Sequence, residues 1–345
     1  MYLLPLEILG LFSVNCYEGG LPCGSKTDAK KDILDIVKEL ECADKYVVTA
    51  ECKALVKSSE QRFIDAVIAL GKTGEDLSFR WDRWENTLLH VAARLGYKKA
   101  LISLLENGAS PDEGDKYGYT PLIEAAREGK VELVRILLKH GASVNAENTS
   151  GATALTFAAE NGHNEIAEIL LDSGSNINKQ DSLGLTPLIF ASQEGNTELV
   201  TTLLKRGALP NLKTIPRRRE DTAIIKAASN GHKDVVSALL AHGAEVDAAN
   251  TMGITGLFWA SKHGHADIVS MLLANGASVD GKMPKETPLM VAAEKGNEDI
   301  VAILIKHGAN PTVKGSYRNT ALDYARYGGF TKIQKMIEEY LKTYQ

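Results

Sequence analysis

Apolar residues recur along the chain in short bursts at helical spacing, separated by polar, glycine-rich punctuation. Val131, Val134, Leu137 and Leu138 fall on one face of a helix, as do Val235, Val236, Leu239 and Leu240. Ahead of each such helix lies a shorter apolar stretch with a pair of small residues, such as Ala92-Ala93, Ala125-Ala126 or Ala158-Ala159, which lets helices stack closely. A glycine closes the stretch, because a left-handed residue stops a helix. The pattern predicts helix, tight turn, helix, and then a polar turn or short hairpin before the next pair.

The pattern is periodic. A Thr followed by a small residue or Pro, or by Leu in the first case, and then Leu or Ile stands at Thr87, Thr120, Thr153, Thr186, Thr222, Thr255, Thr287 and Thr320, at intervals of 33, 33, 33, 36, 33, 32 and 33 residues. Nine residues after each Thr comes a Gly, and each complete unit closes on Gly-Ala or Gly-Ser. The Thr suits an N-cap, and Pro121, Pro187 and Pro288 then fall at a first helical position, where a missing N–H costs nothing. Seven full units begin at Glu85, Gly118, Gly151, Gly184, Glu220, Gly253 and Lys285; an eighth from Arg318 ends in a charged helix, Thr331 to Lys342. The expected organisation is an array over residues 85–345, its last unit at 318–345 serving as a cap, after an N-terminal helical capping region over 1–84. That region has helical spacing over Asp28 to Leu40 and Ala50 to Leu70, and a decayed repeat near 60–84.

The Thr-Pro-Leu opening, the paired short helices and the 33-residue period resemble the ankyrin repeat. Thr120-Pro121-Leu122 through Asn145 matches that family's pattern closely, and Thr87-Leu88-Leu89-His90 keeps its usual His. The resemblance implies an all-α fold, an ankyrin-type α-solenoid of stacked helix-turn-helix units with projecting β-turn or hairpin fingers. It further implies a non-enzymatic scaffold or adaptor that binds a partner protein on the concave face and finger tips. Two alternatives are an inhibitor masking one transcription factor or enzyme, and an exported effector of an intracellular bacterium binding a host protein. An adaptor to a ubiquitin ligase or a membrane complex would need a recruitment module within residues 1–84, and none is recognised. Some relatives are hydroxylated at a finger Asn; Asn145 and Asn178 occupy similar positions but have Ser143 and Asn176 where an acidic residue is usual.

By the same resemblance, contacts come from finger residues three and one before each Thr. Those positions hold Trp84 and Asn86, Tyr117 and Tyr119, Ser150 and Ala152, Leu183 and Leu185, Arg219 and Asp221, Met252 and Ile254, Pro284 and Glu286, Tyr317 and Asn319. Turn tips ordinarily select polar residues, so this apolar row points to a surface kept for a partner. Trp84, Tyr117, Tyr119 and Arg219 rank first as anchors, ahead of Leu183, Leu185, Met252, Ile254 and Tyr317. The residues four after each Thr, among them Phe157, Phe190 and Trp259, suit packing between units at least as well as contact.

Composition adjusts this picture little. The 345 residues are 44% hydrophobic and 24% charged with a net charge of -5, which excludes a wholly disordered chain and disfavours nucleic acid as partner. One basic run, Arg217-Arg218-Arg219, lies in the long fourth-to-fifth interval. It reads first as a solvated loop, since Glu220-Asp221 follow it, and otherwise as an import signal, a phosphate contact or a docking point. No apolar run is long enough to span a bilayer, and Met1 to Val14 lacks the basic start of a secretory signal, so a monomer in the cytoplasm, with nuclear entry open, is expected. Cys16, Cys23, Cys42 and Cys52 match no zinc or disulfide spacing. Seven of eight histidines hold repeat positions, and only His263 is irregular. No GxxxxGK[ST], HExxH or GxSxG occurs, so no catalytic residue, metal or cofactor is expected.

Overall fold

The computed structural model describes residues 61–70, 77, 80, 82–215, 220–283 and 285–344. The four cysteines, the expected helix over Asp28 to Leu40, and Arg217, Arg218, Arg219 and Pro284 lie outside them.

Within these residues the chain is a succession of helix pairs. Helix α1 covers residues 61–70. The pairs that follow are α2 (Leu88–Leu95) with α3 (Lys98–Glu106), α4 (Pro121–Arg127) with α5 (Val131–Lys139), α6 (Ala154–Glu160) with α7 (Asn164–Asp172), and α8 (Pro187–Gln193) with α9 (Thr197–Lys205). Then come α10 (Ala223–Asn230) with α11 (Lys233–Ala241), α12 (Gly256–His263) with α13 (Ala266–Ala274), α14 (Pro288–Lys295) with α15 (Glu298–Lys306), and α16 (Ala321–Tyr327) with α17 (Thr331–Thr343). First helices stack on first helices and second on second, giving an all-α solenoid of two columns.

Local chemistry sets each start. The side chains of Thr120, Thr186, Thr255 and Thr287 accept hydrogen bonds of 3.2–3.4 Å from the backbone N–H three residues on. Such a cap contributes about 1 kcal/mol. Inside the first helices the small pairs are wholly buried, which permits the tight inner column. The longer aliphatic residues of both helices join one core running from Phe63 to Ile337. Phe63 on α1 packs its ring 5.7 Å from that of Tyr97, so α1 covers the first face of the stack. The long interval's three extra residues fall in sequence between Thr214 and Asp221. Thr214 still closes on Asp221, N–H to carbonyl at 3.0 Å, so the columns continue past it.

Histidines bolt unit to unit. The Nε2–H groups of His163 and His232 donate to the carbonyls of Arg127 and Gln193 in the preceding unit at 3.0 and 2.9 Å. His140, His242 and His307 bond through Nδ1 to the carbonyl four residues back, at the end of a second helix. Asn145 bridges two units at once, accepting from the Asn176 N–H at 2.8 Å and donating to the Gly174 carbonyl at 3.2 Å; Asn178 accepts from the Leu209 N–H.

Candidate interaction surface

Five of the eight fingers are tight loops organised by one short polar side chain five residues before the repeat Thr; before Thr222, Thr287 and Thr320 that position holds Arg217, Lys282 and Gly315. Asp115 Oδ1 accepts from the backbone N–H groups of Tyr117 and Tyr119 at 2.8 and 2.9 Å, while its own N–H donates to the Tyr119 carbonyl at 2.9 Å. Asn148, Asp181 and Asn250 build the same ring in their fingers. Asp82 repeats it with Trp84 and Asn86. These residues could have been found in the sequence by their fixed offset, but as polar turn residues they blend into their surroundings.

Successive fingers are tied by one backbone hydrogen bond each. Lys116 N–H donates to the Trp84 carbonyl, Thr149 to Tyr117, Ser182 to Ser150, and Ile215 to Leu183, at 2.7–3.0 Å. The first five tips therefore form a ribbon edge in register, and the first helices make the floor beside it.

The ring decides which tip residues face out. The residue between the third and the first before the Thr is a left-handed turn residue, with φ of +74° at Gly118 and Gly151, +75° at Gly184 and +78° at Gly253, and this turn sends the side chains on its two sides in different directions. The third-before residues turn outward: Trp84 is 37% exposed, Tyr117 44%, Met252 50% and Tyr317 83%, with Leu183 half-buried. The first-before residues turn in. Leu185 and Ile254 are 9% and 4% exposed, the first packed in the main core and the second in a smaller cluster with Phe258 and Val291, which corrects their placing on an open surface. Tyr119 is half-buried, its ring 5.3 Å from Phe157 and under the Arg127 guanidinium at 5.5 Å. The outward residues meet one another: the Trp84 and Tyr117 rings lie 5.7 Å apart, with the Arg83 guanidinium 4.4 Å over the indole.

The floor is zoned by charge. Glu124 is buried and ion-paired to Arg127 at 2.8 Å; burial pushes its carboxyl up and the neighbouring arginines oppose that. Glu160 has no ion pair among the described residues, and burial, aided by Glu194, raises its carboxyl above the usual range. Two units on, Lys226 is paired to Asp221 at 3.0 Å, and Lys262 lies 5.2 Å over the Trp259 ring. His263, the irregular histidine, stacks on that indole at 5.2 Å and bonds to the Ser229 carbonyl at 2.7 Å. Among the described residues no group of His, Cys, Asp and Glu could hold a metal ion, and no helix is long and apolar enough to cross a membrane.

His90 fastens the first helix to the Tyr119 finger. Its Nδ1 accepts the Thr87 backbone N–H at 3.1 Å, so Nε2 carries the hydrogen and donates to the Tyr119 carbonyl at 2.8 Å. A second proton on Nδ1 would abolish the first bond, and burial lowers this imidazole's pKa. With the folded value below the unfolded one of about 6.5, the contribution is present above that pH and is lost as pH falls through the folded pKa. Urea unfolding below about pH 6.5 should show this loss in the parent chain and less of it in His90→Gln. Equal pH slopes in the two would contradict the assignment.

Comparison with known proteins agrees with this architecture. Family models for ankyrin repeats match residues 55–148, 89–181, 143–214 and 188–283 (three-copy model) and 284–325 (many-copy model). The crystal structure of the human ASB11 ankyrin repeat domain is similar, with a TM-score of 0.59 and 29% identity over 64% of this chain and 98% of that one. A search of curated proteins found no match. With its repeats matched over most of its length, the chain belongs to the ankyrin repeat family.

Proposed function

We propose that this chain is a non-enzymatic scaffold or adaptor in the cell interior that holds a partner protein along its finger tips and the adjoining floor of first helices. Ankyrin repeats generally mediate protein–protein interaction and are typically not enzymes, which supports the coarse reading. The observation that carries the finer one is the outward row of tips. The fold needs no Trp84 or Tyr117 side chain for its own packing, yet the two lie in ring contact on the surface with an arginine over one of them. Trp, Tyr and Arg are the residue types that dominate binding energy at protein interfaces.

Affinity purification with quantitative mass spectrometry tests this. Each anchor of this kind contributes about 2 kcal/mol, so Trp84→Ala with Tyr117→Ala should lower capture of the partner by a factor of roughly 100 or more. Far-UV circular dichroism and the unfolding midpoint should be unchanged, because neither side chain is in the core. Undiminished capture by the double variant would remove these tips from the site.

A further inference from the structure

Units six and seven carry a second apolar cluster apart from the main core. Ile254, Phe258 and Val291 are buried in it, and Trp259 and Met283 cover it in part. Met252 stands half exposed at the tip above. At that tip a Cβ on Gly253 would lie 2.9 Å from the Lys282 carbonyl oxygen and 3.2 Å from Met283 Cα, so the two tips form one edge.

Positive charge rims this platform. Lys262 sits over the Trp259 and Phe258 rings at 5.2 and 5.9 Å, and Lys282 and Lys285 are exposed on tip seven. None of the three has an ion-pair partner among the described residues. Of the acids nearby, Asp221 is engaged by Lys226 at 3.0 Å and Asn250 at 2.9 Å, and Glu294 by Lys295 at 3.4 Å, while Glu286 on tip seven has no ion pair among the described residues and stands alone against the three lysines. In a chain of net charge -5, three lysines against one free carboxylate around exposed thioethers and an indole are a local inversion of sign.

From this we infer that units six and seven dock an acidic segment of the partner protein, one in which Asp or Glu residues flank an aromatic or aliphatic anchor. The inference rests on the scaffold reading above and adds the chemistry of what is bound. The anchor covers Met252, Met283 and the Trp259 face, where flexible methionines adapt to its shape. The carboxylates meet the three lysines, which set register and speed encounter. Glu160 and Glu194 on units three and four, which have no ion pair among the described residues, repel the same segment and so confine it to this end. A nucleic acid fits less well, since a phosphate run leaving the platform meets those carboxylates and an apolar anchor has no counterpart in it.

A random peptide library selected against the immobilised full chain reads the preference directly. The expected pool is rich in Asp and Glu around Phe, Leu, Ile or Trp. A synthetic member of it should bind at least about tenfold more weakly to Lys262→Glu/Lys282→Glu/Lys285→Glu, and weaken when salt is raised. Lys262→Ala alone should weaken it less, and its acid-to-amide version should bind the parent poorly. A neutral or basic pool, no enrichment, or affinity unaltered in the triple variant overturns the inference. So does a single-stranded oligonucleotide that binds the parent and not the variant. The Trp84 and Tyr117 experiment is independent of these lysines. Capture that needs those tips but ignores the triple variant would leave the scaffold reading standing and end this one.

Discussion

Leu185→Ser lowers the stability of the array by about 3–5 kcal/mol, while Tyr117→Ser, at the neighbouring finger, leaves it within about 0.5 kcal/mol. Both substitutions cut a large apolar side chain to a hydroxymethyl group at a fingertip, and only the direction of the side chain differs. Leu185 is buried in the continuous core and its backbone N–H and carbonyl both bond to Asp181. Truncation there leaves a cavity and adds a buried hydroxyl, costs of about 2–5 and 1–3 kcal/mol that overlap in part. Tyr117 touches Trp84 and water, and its loss forfeits part of one exposed ring contact. Urea titrations followed by circular dichroism separate the two outcomes. Equal destabilisation would mean that the alternation of the finger has been misassigned. The result also governs how binding is tested, because a Leu185 variant that fails to capture a partner says nothing about contact.

That distinction marks where the sequence stops being legible. The period, the Thr caps, the small pairs and the helix-ending glycines each act within a few residues, so spacing alone located every helix from Leu88 to the C-terminal region. The long interval was placed correctly for the same reason. The outward tip residues could be named because they fall at a fixed offset from the Thr. Their inward neighbours, Leu185 and Ile254, fall at another fixed offset and are as apolar, and no property of the residue types separates the two rows. What separates them is the ring around Asp181 or Asn250, a three-dimensional closure that fixes which way each side chain leaves the backbone. The charge zones were also hidden. Lys262 and Glu160 look alike in sequence as helix-surface residues, and only the pairing of Lys226, Arg127 and Lys295 with acids shows which charges are left over.

Gly195→Ala lowers stability by about 3 kcal/mol, and Gly162→Ala by about 1, although both glycines end a first helix at the same point of the repeat. Their backbones are alike, φ being +76° and +72°, so any L residue accepts the left-handed strain of about 1–2 kcal/mol at either site. Their neighbours differ. A Cβ on Gly162 meets the Asn196 side-chain nitrogen at 3.6 Å, an ordinary contact, whereas one on Gly195 would lie 2.5 Å from the His232 ring. That imidazole cannot retreat without giving up its 2.9 Å hydrogen bond to the Gln193 carbonyl, which adds about 1–2 kcal/mol. The added cost falls on the contact between units four and five. A stack held by nearest-neighbour contacts responds to a weak joint by splitting into blocks. Hydrogen exchange in Gly195→Ala should therefore show units five to eight opening before units one to four, with Gly162→Ala as the cooperative control. Equal losses, or a single transition in both, would put the unit-to-unit bond elsewhere than in the histidines. The joint lies between the acidic floor at Glu160 and Glu194 and the lysine platform of units six and seven, so a partner held at both ends is released by Gly195→Ala more than by Gly162→Ala, and one held at a single end is not.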